Sequence, residues 1–315
     1  MIKPVVILLL SLAPLAVTGQ DAASFAKTGR KVLENERYGP AERNLFDIVM
    51  PGSAAPTALV IYIHGGGFVF GDKNVPFKWR QQDVSWFLEH NIAYASISYS
   101  FYKTDDSTGV GRCLKDVQAA VQYIRHHAAK YNISKEKIAC YGHSAGAGSS
   151  LYLAFHDDLA IPGDTTLLGE STRLRCAGAL DTQATYDLFR WMDFIPGLKT
   201  VVNLAKKTFY PAIANFYGYP NYPSFRPVQD ATIKRFDMLA MISPDDPPVY
   251  VMNLQKQRVP VSFGIIQHHR GHALVLDRIM TEQKVEHLAL IRNSSVKSEK
   301  DVPEPVTVFL AKYLN

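Results

Sequence analysis

Beyond residue 40 the chain alternates between two hydrophobic rhythms. Short apolar runs rich in β-branched residues occur at 41–52 (AERNLFDIVMPG), 58–68 (ALVIYIHGGGF), 91–101 (NIAYASISYSF) and 136–142 (EKIACYG). Further runs follow at 175–181, 247–253 and 285–292. Runs of this length, bounded by Gly, Pro or Asn, predict buried strands. Between them the spacing turns helical. In 111–131, Leu114, Val117, Ala120, Val121 and Ile124 fall on one face. Segments 149–156, 273–284 and 304–314 also read as helices. Strands alternating with helices predict an α/β fold, with a mostly parallel central sheet flanked by helices.

One segment breaks the rhythm. "YDLFRWMDFIPG" and "FYPAIANFYGYPNYPSFRP" are dense in aromatics and prolines and fall between two strands. They predict an aromatic-rich cap inserted at about 186–230, over one edge of the sheet; the alternative is a packed surface excursion. The first 19 residues have one lysine, an apolar run from Val5 to Val17, then small residues. That is the layout of a signal peptide. The run is shorter than the roughly 20 residues that cross a bilayer, and no later segment is apolar enough to span one. The expectation is a domain over 20–315, secreted or periplasmic, with a retained anchor as the alternative.

Composition narrows the picture. Apolar content of 47% and charged content of 20% suit a globular domain with a sizeable core. The net charge of +5 is spread along the chain with no basic run interleaved with aromatics, so no nucleic-acid partner is expected. Cys113, Cys140 and Cys176 fit no metal spacing. Cys140 and Cys176 lie in apolar runs and read as small buried hydrophobes, although one disulfide stays open. No metal or organic cofactor is implied.

The chemistry sits in two glycine-rich stretches. Gly142-His143-Ser144-Ala145-Gly146 is a G-x-S-x-G placed directly after an expected strand and before an expected helix. In that context the glycines let strand and helix approach closely, and the serine sits on a strained turn with its oxygen exposed. His64-Gly65-Gly66-Gly67-Phe68 ends an upstream strand. Its glycines leave backbone N–H groups open, so Gly66, Gly67 and Ala145 are the expected oxyanion hole. His64 and His143 read as local supports.

"HGGGFVFGDK", "DVQAAVQYIRHHAAKYNISKEKIACYGHSAGAG" and "SPDDPPVYV" resemble the α/β-hydrolase fold serine esterases. The likeness is to the hormone-sensitive-lipase-like and bacterial feruloyl or acetyl-xylan esterase-like branches. It is strong over about 40–180 and weak over 240–315. It implies carboxylic-ester hydrolysis without naming the ester.

The resemblance also implies an acid after the next-to-last strand and a histidine after the last. Neither loop supplies one: "LQKQRVPVSFGIIQHHRGHALV" has no Asp or Glu, and "NSSVKSEKDVPEP" has no His. His287 falls inside the last expected strand. One reading rebuilds the triad. His268 or His269, just before a helix, is then the base, and Asp181 orients it; Asp187 and His272 are second choices. The competing reading is a degenerate member of the fold that binds but does not turn over. A peptidase with the same nucleophile is a weaker third. The first reading predicts an exported serine ester hydrolase acting through an acyl-enzyme on Ser144, on a small-molecule or polysaccharide-linked ester.

Overall fold

The structure, a computed structural model, describes residues 21–103, 107–256 and 258–315. The expected signal peptide lies outside the described residues. Eight strands form one sheet in the order β1–β2–β4–β3–β5–β6–β7–β8. They are β1 (Lys31–Arg37), β2 (Leu45–Met50), β3 (Thr57–Ile63), β4 (Ile92–Ile97), β5 (Ile133–His143), β6 (Cys176–Leu180), β7 (Val249–Asn253) and β8 (His287–Ile291). β2 runs antiparallel to β1 and to β4. Every other pairing is parallel, so the sheet is mostly parallel, as the alternating rhythm predicts.

Helices α1 (Val75–Trp79) and α2 (Gln81–Glu89) join β3 to β4, and α3 (Val110–His126) joins β4 to β5. After β5 comes α4 (Ala145–Phe155). Between β6 and β7 the chain forms α5 (Trp191–Phe194), α6 (Leu198–Leu204), α7 (Lys206–Phe216), α8 (Tyr222–Phe225), α9 (Gln229–Lys234) and α10 (Met238–Met241). Between β7 and β8 lie α11 (Phe263–Gln267) and α12 (Gly271–Gln283), and α13 (Val306–Leu314) follows β8.

The strand pattern explains the layers. In β3, Leu59, Ile61 and Ile63 enter one core, and Ala58, Val60 and Tyr62 enter the other. Successive side chains of a strand point to opposite faces, so an unbroken apolar run needs cover on both. α3, α4 and α12 cover the first face, and α2 and α13 the second. A third, smaller core joins the insertion to α11 through Trp191, Leu198, Val202, Phe209 and Ile266.

Two elements depart from the sequence reading. The 41–52 region is the second strand, because β1 precedes it at the sheet edge. β1 reads KVLENER and contains only half-buried and exposed positions, so it has no apolar run to detect. α2 buries Val84, Phe87 and Leu88, a helical spacing that the sequence does contain. Cys113, Cys140 and Cys176 are all buried free thiols, with no disulfide among the described residues.

The parallel strands end on one edge of the sheet, where open α/β sheets bind ligands. The triglycine follows β3, Ser144 follows β5, Asp181 follows β6, and β7 ends at Asn253. A buried ion pair of 2.8 Å between Lys73 and Asp47 ties the loop after the triglycine to β2.

Candidate active site

Ser144 links β5 to α4 with φ 55° and ψ −122°, a left-handed conformation that a serine adopts only under constraint. The constraint is steric. A Cβ on Gly142 would lie 2.4 Å from the Ile63 carbonyl oxygen, and one on Gly146 only 1.9 Å from the same atom. Glycine at both positions therefore lets β3, β5 and α4 converge beneath the turn.

The triglycine loop presses against this turn. A Cβ on Gly65 would lie 2.7 Å from the His143 carbonyl oxygen. Gly66 has φ 110° and would clash with the Phe70 carbonyl oxygen at 2.0 Å. Gly66 accepts from the N–H groups of Val69 and Phe70, which curls the loop. Its own N–H and that of Gly67 donate to no acceptor among the described residues. The N–H of Ala145 opens α4 and has no preceding turn to donate to.

His64 holds the loop from behind. It is buried, stacks on Tyr99 at 4.2 Å, and its Nδ1 donates to the Gly65 carbonyl at 2.7 Å. Burial pushes its pKa down to about 4, so it stays neutral.

Of the histidines singled out as base, the structure brings one to the serine. His268 Nε2 lies 2.8 Å from Ser144 Oγ. Its Nδ1 lies 3.1 Å from the Gly264 carbonyl. A carbonyl only accepts, so Nδ1 carries the proton and Nε2 is free to accept from the serine. His268 sits at the C-terminal end of α11. It also lies just before the following helix, α12, which begins at Gly271. Asn253 at the end of β7 donates to the His268 carbonyl at 3.1 Å, and Gln183 donates to the Gln267 carbonyl at 2.9 Å. Both side chains fix the imidazole through its backbone.

The remaining candidates go elsewhere. His269 turns inward, and its Nδ1 accepts from the Gly271 N–H at 3.0 Å, so it does not meet the serine. His272 is buried; its Nδ1 accepts from the Ala184 N–H at 3.2 Å and its Nε2 donates to the Ile266 carbonyl at 3.0 Å. It ties the loop after β6 to α11. Asp187 caps a turn by accepting from the N–H groups of Phe189 and Arg190. His287 pairs with Asp277 at 3.1 Å, away from the site.

Asp181 requires a correction. It lies beside the site, yet no hydrogen bond joins it to His268. Its carboxylate accepts from Gln255 at 2.7 Å and lies 3.5 Å from His143 Nε2. The reason is reach: β6 ends beside β5, so the carboxylate meets the side chain preceding Ser144 first. The ring centroids of His143 and His268 are 6.0 Å apart, which leaves Asp181 acting on His268 only through space. Burial raises the Asp181 pKa, but hydrogen bonds from His143 and Gln255 and the charges of His143 and His268 outweigh it and leave a net lowering. The His268 pKa is lowered, chiefly by burial, against a raising contribution from Asp181. His143, which the sequence reading treats only as a local support, is thus the carboxylate's direct neighbour.

Ser144 opens into a cavity of about 700 Å³. Gly66, Gly67 and His268 line its floor, and Leu188, Trp191, Ile213, Phe216 and Phe263 give it an apolar wall. Four of these wall residues, Leu188, Trp191, Ile213 and Phe216, belong to the insertion between β6 and β7. A second, polar cavity of about 760 Å³ adjoins it at Tyr62, Trp79 and His143.

A family model described as BD-FAE matches residues 46–261. Among curated proteins, the chain is 26% identical to Secreted lipase 5 of Gibberella zeae over 95 residues, 28% of this chain and 18% of that protein. It is 31% identical to Esterase-5B of Drosophila persimilis over 108 residues, 32% of this chain and 19% of that protein. The chain spans under a fifth of the length of these relatives. Among solved structures, a truncated carbohydrate esterase from gut microbiota aligns with TM-score 0.61 and 16% identity, over 82% of this chain and 86% of the other. Esterase B from Lactobacillus rhamnosis, in a phosphonate-inhibited form, aligns with TM-score 0.56 and 16% identity, over 84% and 81%. These two likenesses concern the fold.

Proposed function

This chain belongs to the BD-FAE family of the α/β-hydrolase fold, and on that premise we propose that it is an exported serine carboxylic-ester hydrolase working through an acyl-enzyme. The observation that carries the reading is the 2.8 Å contact between Ser144 Oγ and His268 Nε2, beside the free amides of Gly66 and Gly67.

In this mechanism the ester carbonyl oxygen points at the amides of Gly66, Gly67 and Ala145. Ser144 Oγ attacks the carbonyl carbon while His268 Nε2 takes its proton. Charge builds on the oxygen, and amide hydrogens already aimed at it stabilise that charge without reorganising. The imidazolium gives its proton to the leaving alkoxide as the C–O bond breaks. Water then attacks the acyl-enzyme, again losing a proton to His268, and Ser144 is regenerated. The nearby Asp181 carboxylate favours the imidazolium through space, and the Gly264 carbonyl holds the tautomer.

The apolar wall supports a substrate with an apolar or aromatic acyl group. The adjoining polar cavity supports a hydroxyl-bearing alcohol, which fits a polysaccharide-linked ester. Hydrolysis of p-nitrophenyl acetate and butyrate by wild type and Ser144→Ala tests the reading: equal rates would refute it. One observation favours the competing, non-catalytic reading, namely that His268 meets a carbonyl where a carboxylate is usual. Labelling of Ser144 by a fluorophosphonate probe separates the two, because an inert serine stays unmodified.

A further inference from the structure

Three segments set exposed apolar side chains beside cations around the mouth of the catalytic cavity. The first runs from the triglycine loop into α1. There Val69, Phe70 and Trp79 line the cavity and yet are exposed, Trp79 to 71%, with the exposed Lys78 just before it; Arg80, just after, is paired with Asp83 at 2.9 Å and is not a free cation. The second precedes α11. Val259, Val261 and Phe263 are exposed there, Phe263 lines the cavity, and Lys256 and Arg258 come just before. The third is the junction of α6 and α7, where Leu204 is exposed to 85% next to Lys206 and Lys207. The Phe263 ring packs on Phe209 of α7 with centroids 5.1 Å apart, so the second and third segments adjoin.

Single exposed apolar residues need no explanation. Their concentration at one opening does. The charge around them is one-sided: residues 198–209 and 254–263 contain no Asp or Glu, and residues 69–80 contain Asp72 alone. A protein partner is a poor fit, because lysine is depleted in protein interfaces. Exposed Trp, Phe and Leu flanked by Lys and Arg are the composition of a face that seats itself in a lipid headgroup layer.

We infer that this rim docks the mouth of the cavity onto an anionic lipid surface. The apolar tips enter the headgroup boundary, and the lysines and Arg258 meet the negative surface charge. A rim seated this way would pass acyl chains directly to Ser144. That consequence rests on the ester-hydrolase reading; the docking itself does not.

The test uses the full chain and two vesicle preparations, pure phosphatidylcholine and an equimolar mixture with phosphatidylglycerol. Co-sedimentation measures binding at low and high salt. Turnover of p-nitrophenyl acetate is followed in parallel without vesicles. The mutant carries Leu204→Ser, Lys206→Gln and Lys207→Gln, none of which lines the cavity. Binding to the anionic vesicles is expected, weakened at least about tenfold in the mutant and again by high salt, with turnover of the soluble ester unchanged. A second mutant, Val259→Ser with Val261→Ser, gives the same answer if the first does not fold. Equal binding to neutral and anionic vesicles, binding to neither, or mutants that bind as wild type would overturn the proposal. Absent turnover with binding as expected would instead remove the hydrolase reading and leave the docking surface in place.

Discussion

His268 touches Ser144 Oγ through Nε2 at 2.8 Å, while its Nδ1 rests on the Gly264 carbonyl at 3.1 Å, four residues back along its own chain. A backbone carbonyl thus takes the place at the imidazole that a carboxylate usually holds. The carbonyl fixes the tautomer as a carboxylate would, but it carries no full charge to balance the imidazolium.

Replacing the base should therefore be costly, and replacing its neighbour should not. His268→Ala is expected to lower kcat by about 10²–10⁴-fold, the usual contribution of a positioned general base. His269→Ala, which loses only the bond from the Gly271 N–H, is expected to keep kcat within about tenfold. Steady-state kinetics on p-nitrophenyl butyrate measure both, and the opposite ranking would move the base to His269.

Asp181 should be visible in the pH profile. The His268 pKa is lowered chiefly by burial, and Asp181 opposes that lowering. In the wild type the acid limb of kcat/KM is expected to fall below pH 6.5, because the neutral base persists to lower pH. Asp181→Asn removes the opposing charge, so the limb should move to still lower pH while kcat drops. A limb that moves upward, or does not move, would remove Asp181 from the site.

Two buried histidines make stability sensitive to acid. Burial sets His64 at about 4 and His272 at about 3, against 6.5 for the free side chain. Above pH 6.5 both states hold them neutral. Below it the unfolded chain takes up protons that the folded chain refuses, so stability falls as pH drops from 6.5 toward 4 and then 3. The slope is at most about 1.4 kcal/mol per pH unit for each histidine. His272→Gln can keep an acceptor for Ala184 and a donor for Ile266, and should make the fall in Tm with acid shallower. Thermal unfolding monitored between pH 7 and 4 checks this.

Gly146→Ala sets two effects against each other. Alanine improves helix propensity by about 1 kcal/mol. Its methyl would lie 1.9 Å from the Ile63 carbonyl oxygen, which is backbone and cannot swing away. Overpacking costs about 1–3 kcal/mol and more where backbone must shift, so the clash wins. Lower Tm together with a collapse of kcat is the expected result, read by thermal denaturation and the same ester assay.

The fold was legible wherever burial was two-sided. β3 to β8 are apolar runs with covers above and below, and each stands out in the sequence. β1 did not, because its half-buried and exposed positions follow no strict alternation and it has no apolar run. The serine turn was legible because its neighbours must be glycine, a local demand. The partner of the serine was only half legible. Histidine type and a position beyond β7 narrowed it to adjacent residues, but which of two consecutive side chains faces the cavity depends on how α11 closes against the insertion. The pairing of Asp181 with His143 was not legible at all, since it arises from the spacing of neighbouring strands.

The imidazole that meets Ser144 comes from the crossover between β7 and β8, and this frees the stretch after β8. Residues 293–298 form a turn that is mostly solvent-exposed and leads on to α13, whose apolar face packs beneath the sheet. That turn contributes nothing to the contact between Ser144 and His268, so it can be lengthened, shortened or made to carry a grafted epitope for purification or display without disturbing that contact.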